Sequence, residues 1–232
     1  MERAVTAAFV LAALTFAAVA AHREFSPPVA AKSVAARTGG GITFQKDWQD
    51  AGPNGHTLGD PAAKLRIIVL SDLECPACGR LDRIARSVRR RYAKEVAVVF
   101  VHFPLQLHRF ALPAARAAEC AATIGRFETF VERVYAKQDS LGLKPWGEIA
   151  AEAGIGDTTH IATCAVGVTV APLIDAGIAY GNKIGVNATP TVIVNGWRFW
   201  NVPSEAELTE TIEALRKGER PPGADVTGPP TP

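Results

Sequence analysis

The apolar positions of the chain change period several times, and each change marks an element. Residues 65–71 (LRIIVLS) and 96–103 (VAVVFVHF) are short runs rich in β-branched residues, the pattern of strands buried on both faces. Between them Leu81, Ile84, Ala85, Val88 and Tyr92 recur at helical spacing, which predicts strand, helix, strand: a βαβ unit. From about 110 to 183 the spacing stays helical. Phe127, Phe130, Val131 and Val134 form one stripe, Trp146, Ile149, Ala150 and Ala153 another, and Gly125 and Gly154 stand where C-caps belong. The pattern returns to β at Pro190-Thr191-Val192-Ile193-Val194, with an Asn195-Gly196 hairpin signal before Trp197-Arg198-Phe199-Trp200. A last helix is predicted over 204–217, opened by a Ser204-x-x-Glu207 capping box.

The ends of the chain read differently. Residues 4–21 are uncharged, nine of them alanine, and Ala18-Val19-Ala20 supplies a small-x-small cleavage pattern. Residues 1–21 are therefore expected to be a signal peptide or a retained anchor, placing the body of the protein in a periplasmic or other extracytoplasmic compartment. Residues 22–41 lack an apolar period and read as a linker. Residues 218–232, with five prolines and three glycines, read as a disordered tail. The fold is expected to be α/β, with 42–109 and 184–217 forming one domain and 110–183 an inserted α-helical domain.

Composition adds constraints rather than an answer. With 232 residues, 48% hydrophobic and 21% charged, the chain has room for one globular domain with an insertion. Twenty-five basic and 23 acidic residues leave a net charge of +2, which offers no general attraction to nucleic acid. Arg80, Arg83, Arg86, Arg89, Arg90 and Arg91 mostly avoid the apolar stripe of their helix and read as a solvated face. Trp197 and Trp200 read as core and rim. His22 and His56 are expected in leader or loop and His160 on a helix surface, and no histidine spacing marks a metal site.

The chemistry resides in Cys75-Pro76-Ala77-Cys78. Cys75 falls where the first buried strand ends and the helix begins, and the free N–H groups and helix dipole there favour a thiolate. Cys78 lies one turn on, close enough to attack a mixed disulfide, and Pro76 at the first helical position loses no hydrogen bond. A zinc site would need two further ligands, whereas Cys120 and Cys164 are single and far apart in sequence. An inert disulfide at 75 and 78 is the other alternative. With the CxxC pair assigned, Cys120 and Cys164 are left to pair as a structural disulfide in an oxidising compartment, or to remain two free thiols. Asp72, Glu74 and His108 are candidate proton-relay residues near the dithiol.

Four segments in order, Ser71-Asp72-Leu73-Glu74-Cys75-Pro76-Ala77-Cys78, His102-Phe103-Pro104-Leu105, Ala114-Ala115-Arg116-Ala117-Ala118-Glu119-Cys120-Ala121 and Gly185-Val186-Asn187-Ala188-Thr189-Pro190-Thr191, resemble the DsbA-like thioredoxin-fold oxidoreductases. The resemblance spans about 55–217 and implies a thioredoxin fold with an inserted helical domain. It implies that Pro190 is a cis proline beside the dithiol, so that Pro76, Ala77, Thr189 and Pro190 line a substrate groove. It further implies catalysis by Cys75 and Cys78 without a bound cofactor, cysteine-containing exported proteins as substrates, and re-oxidation by a membrane quinone-linked protein. Pro-Ala between the cysteines lacks the histidine of the well-known oxidases, which leaves a reductase as the alternative activity. A non-catalytic export-side chaperone or binding module is the alternative from another class. Residues 22–60 are too few and irregular for the dimerisation module of the related isomerases, so a monomer is expected.

Overall fold

A computed structural model describes residues 41–167 and 171–225. The chain divides into two units, Met1–Gly39 and Gly40–Pro232, and every described residue belongs to the second. The predicted signal or anchor and nearly all of the predicted linker lie outside the described residues.

The two apolar runs become β3 (Leu65–Ser71) and β4 (Val96–His102), paired in parallel from Leu65 opposite Val96 to Ser71 opposite His102. The crossover between them is α1 (Pro76–Arg91). β5 (Thr191–Val194) runs antiparallel on the other side of β3 and turns at Asn195-Gly196 into β6 (Trp197–Phe199). Asn195 and Gly196 have φ of 44° and 93°, the left-handed pair that matches a two-residue turn to strand twist. Two three-residue strands close the edges, β1 (Ile42–Phe44) on β6 and β2 (His56–Leu58) on β4, giving the order β1-β6-β5-β3-β4-β2.

Both faces of this sheet are covered, which is why β3 and β4 are apolar without alternation. One face, with Ile67, Val69, Val98 and Phe100, shares its core with Leu81, Ala85 and Val88 of α1 and with Leu208 and Ile212 of α7 (Glu205–Arg216). Ser204 and Glu207 cap α7 reciprocally. The other face, with Ile68, Leu70, Val99 and Val101, packs with Tyr180 and Ile184 and with Ala51 of the 3₁₀ turn at Trp48–Ala51.

Between β4 and β5 the described residues form five helices and no strand: α2 (Ala111–Thr123), α3 (Phe127–Ala136), α4 (Trp146–Glu152), α5 (Thr158–Val166) and α6 (Pro172–Lys183). Gly125 and Gly154 follow α2 and α4 with φ of 69° each. Within the expected insertion at 110–183, α6 covers the second face of the sheet, with Tyr180 packed among Ile68, Leu70, Val99 and Val101. Gly177 and Gly181 make that approach possible: a Cβ at Gly177 would overlap the His102 carbonyl oxygen, and one at Gly181 the Phe103 ring.

Three expectations change. His56 is not in a loop but in β2, a strand too short for its period to be read. Residues 218–225 of the expected tail are ordered, with Gly223 O accepting from Ile42 N at 3.3 Å and Asp225 N donating to Ile42 O at 2.7 Å along the β1 edge, and the rest of that tail lies outside the described residues. The arginines of α1 do not simply face solvent: Arg86 pairs with Asp82 and Glu132, Arg89 with Glu128 and Arg91 with Glu205. Trp197 is buried and Trp200 half exposed, core and rim respectively.

Candidate active site

The dithiol sits where β3 hands over to α1. Cys75 is the N-cap in extended conformation (φ −72°, ψ 119°), Pro76 opens the helix, and Cys78 N and Gly79 N donate back to Cys75 O at 3.0 and 3.3 Å. Both cysteines are free thiols. Cys75 is 7% exposed and Cys78 1%, so an incoming sulfur reaches Cys75 first.

The electrostatics separate the two thiols. The Cys78 thiol hydrogen bond is the largest influence lowering the Cys75 pKa; with the backbone N–H groups of Cys78 and Ala77 and the Thr189 side chain it outweighs burial and brings Cys75 to about 5. Burial, followed by the hydrogen bond to Cys75, pushes Cys78 far above the usual thiol range. Cys75 is therefore the thiolate and Cys78 the protonated partner.

The chain before β5 completes the site. The Thr189–Pro190 peptide is cis, and the Cys75 thiol donates to Thr189 O at 3.4 Å. Thr189 Oγ1 is buried without a hydrogen-bond partner. It is placed to donate once Cys75 ionises and its sulfur becomes an acceptor.

The candidate relay residues are brought beside the dithiol, where they hold the surrounding backbone. The buried carboxylate of Asp72 accepts from Glu74 N, Leu105 N and His108 Nδ1, each at 2.8 Å. Its backbone N–H points at Cys78 Sγ, 3.5 Å away. Glu74 Oε2 accepts from Phe110 N at 2.5 Å, so the two acids tie the 105–110 loop to the strand end. His108 is partly exposed. Burial opposes its charge, but the hydrogen bond to Asp72 and the charges of Asp72, Glu74 and Cys75 outweigh burial and raise its pKa.

Several participants carried no mark in the sequence. Gln138, in a 3₁₀ turn after α3, donates from Nε2 to Leu73 O at 3.0 Å and Cys75 O at 2.9 Å, satisfying carbonyls on both sides of Glu74. Ser71 Oγ and Tyr135 Oη are hydrogen-bonded at 2.6 Å in the buried region behind Cys78. Asp82, one helical turn beyond Cys78, lines a small cavity with it, and burial raises its carboxyl pKa despite the opposing charge of Arg86. In the helical block Cys120 and Cys164 are joined by a disulfide between α2 and α5, with Cα atoms 6.0 Å apart. Asp157 caps α5 by accepting from His160 N.

A family model described as thioredoxin matches residues 51–214, and the chain belongs to that family. Within it, the sheet order and the helical block define the DsbA-like thioredoxin fold. BdbD from Bacillus subtilis superposes with a TM-score of 0.63 at 21% identity, covering 75% of this chain and 97% of that one. A thioredoxin-like oxidoreductase from Silicibacter pomeroyi gives 0.62 at 24% identity over 75% and 98%. DsbA from Chlamydia trachomatis gives 0.60 at 20% identity over 69% and 91%. Among curated proteins, the Na(+)/H(+) antiporter NhaA 1 of Mycolicibacterium gilvum is 32% identical over 163 residues, which are 69% of this chain and 26% of that protein. The chain thus spans about a quarter of the length of the curated relatives it matches.

Proposed function

We propose that the protein is an extracytoplasmic thiol:disulfide oxidoreductase that passes the Cys75–Cys78 disulfide to cysteine pairs of exported proteins. The observation that carries this reading is the division of labour in the dithiol: an accessible Cys75 held as thiolate at a helix N-terminus, and a buried, protonated Cys78. In the oxidised protein a substrate thiolate attacks Cys75 Sγ, the S–S bond to Cys78 breaks, and a substrate–Cys75 mixed disulfide forms. The departing Cys78 sulfur takes up a proton. A second substrate thiolate then attacks the substrate sulfur of the mixed disulfide and releases Cys75 as thiolate. Two electrons pass from the substrate dithiol to the protein. The low pKa of Cys75 makes it the better leaving group at this last step, which favours the oxidase direction.

The groove is assigned to Pro76, Ala77, Thr189 and Pro190, where extended substrate backbone pairs beside the cysteines. The proton route is assigned to His108 and Asp72, because His108 connects the strand end to solvent while Glu74 is engaged by Phe110 N. Re-oxidation is assigned to a membrane quinone-linked protein. The Cys120–Cys164 bond supports an oxidising compartment. Cation antiport is the activity for which those relatives are named, and they share only about a quarter of their length with this chain. Among the described residues no helix is long and apolar enough to cross a membrane.

The test is oxidative refolding of a reduced, disulfide-containing substrate alongside reduction of insulin. The oxidase reading expects the refolding rate to depend on Cys75 and to disappear in Cys75→Ser. Refolding and insulin reduction that both ignore that substitution would leave the protein a binding module. Insulin reduction without refolding activity would make it a reductase.

A further inference from the structure

Away from the dithiol, the described residues bring three potential metal ligands to one point: His56, His102 and Glu119. His56 in β2 lies opposite Phe100 of β4, and His102, two residues further along β4, shares the face of Phe100. Glu119 comes from α2 across that face. Both histidines direct Nε2 at Glu119 Oε1, at 2.6 and 2.8 Å, and the three ligand atoms lie within 4.8 Å of one another. No sequence spacing marks this trio, because its members lie on three elements and are 17 to 63 residues apart.

Two features separate the cluster from an ordinary histidine–carboxylate pair. Two rings from neighbouring strands present the same nitrogen to one carboxylate oxygen, so three groups able to ligate a metal converge where an ordinary pair has two. Their orientations are held by aromatic packing: His56 stacks on Phe127 at 3.7 Å and 23°, and His102 meets Phe100 and Phe127 edge-on at 5.1 and 5.8 Å. The second feature is access. The His102 side chain is buried, but those of His56 and Glu119 are 18% and 15% exposed. Glu119 also lines a cavity of about 150 Å³ with Thr123, Cys164 and Pro172.

We propose that His56, His102 and Glu119 form a binding site for a divalent first-row transition ion of the zinc type. Two imidazoles and one carboxylate are a three-ligand set that zinc accepts with water in the fourth position, whereas calcium and magnesium prefer oxygen-only shells. Metal–ligand distances of about 2.0–2.2 Å place tetrahedral ligand atoms roughly 3.4 Å apart. Glu119 therefore withdraws by less than about 1 Å, and His56, on a three-residue edge strand, moves inward by a similar amount. Each ring coordinates through Nε2 as its Nδ1–H tautomer. Arg116 lines the same cavity, and its charge keeps affinity below that of a site without it. The bound ion clamps β2, β4 and α2 together, joining the sheet edge to the helical block next to the Cys120–Cys164 bond.

The test uses the Cys75→Ser/Cys78→Ser protein, so that the dithiol does not compete for metal. Zinc chloride titrated calorimetrically is expected to bind one equivalent per chain and to raise the thermal midpoint. Cobalt(II) is expected to give the ligand-field absorption of a nitrogen/oxygen site without a thiolate charge-transfer band. In the same background His56→Gln and Glu119→Gln should each weaken zinc binding by about 100-fold or more, since losing a direct ligand costs at least what losing a supporting partner does. The cobalt spectrum with the trio intact keeps the proposal testable should either substitution disturb folding. Absence of saturable zinc binding to the protein with the trio intact overturns it. So does a cobalt spectrum without nitrogen/oxygen ligand-field bands, or binding that either substitution leaves unchanged.

Discussion

Replacing Cys120 and Cys164 together by alanine removes the covalent link between α2 and α5 while leaving the redox pair untouched. The cysteines are 44 residues apart, so the bond closes a loop of about 45 residues in the unfolded chain. The chain-entropy relation assigns such a loop about 4 kcal/mol at 25 °C, and native disulfides generally contribute about 2–4 kcal/mol. The Cα separation of 6.0 Å lies within the ordinary span for a disulfide, so the backbone need not move to accommodate it. Cys120 is buried among the alanines of α2, and losing its sulfur adds a packing cost on the order of 1 kcal/mol. Against a typical domain stability of about 5–15 kcal/mol, the double substitution is expected to remove a large share. Urea unfolding, with Cys75 and Cys78 oxidised in both proteins, measures the difference. The variant should unfold at lower urea and with a steeper dependence, because its denatured state is no longer cross-linked and exposes more surface. A loss below about 1 kcal/mol would refute the entropy argument, and two alkylatable thiols in the oxidised, unfolded parent would refute the bond itself.

Other outcomes follow from the site and its supports. With Cys75 near 5 and Cys78 protonated well beyond the neutral range, reduction takes up two electrons and one proton above about pH 5. The reduction potential should then fall by about 30 mV per pH unit between pH 6 and 8, steepening toward about 59 mV per unit below pH 5; a 59 mV slope at neutral pH would mean Cys75 is not a thiolate. The same depressed pKa stabilises the reduced fold fully above the ordinary thiol pKa and loses that contribution as pH falls through about 5, whereas the oxidised fold lacks this dependence. Gln138→Ala takes the side-chain donor from the Leu73 carbonyl and one of three donors from the Cys75 carbonyl, and should destabilise by about 1–3 kcal/mol, read from the urea midpoint. Gly177→Ala forces α6 away from the His102 carbonyl and should cost about 1–3 kcal/mol, whereas an unchanged midpoint would show that the helix shifts freely.

The parts of this molecule legible in its sequence are those with a period or a local turn code. β3, β4 and α1 announce themselves because two-sided burial makes the strands uniformly apolar while one-sided burial gives the helix its stripe. Asn195-Gly196 and Ser204-x-x-Glu207 are equally readable, since each is determined within a few residues. β1 and β2 are not, because three residues carry no period and their pairing comes from β6 and β4. The order of 218–225 likewise depends on a remote partner, Ile42. The same distinction runs through the site. Cys75 and Cys78 are adjacent in one motif, but Gln138, the Ser71–Tyr135 pair and the His56–His102–Glu119 trio exist only after the chain has folded. Helix α6 shows the converse, a helical pattern read correctly whose layer is decided by two glycines, Gly177 against His102 and Gly181 against Phe103.

As a redox couple, Cys75 and Cys78 would have their reduced form held by the Cys75 thiolate. Equilibrating the protein with glutathione buffers and counting alkylated Cys75 and Cys78 by mass spectrometry tests it directly. A two-electron transition between dithiol and disulfide is expected at a potential less negative than the roughly −270 mV of thioredoxin, because the thiolate stabilises the reduced form. A potential at or below that value, or a pair of thiols that never forms a bond in oxidised glutathione, would contradict it.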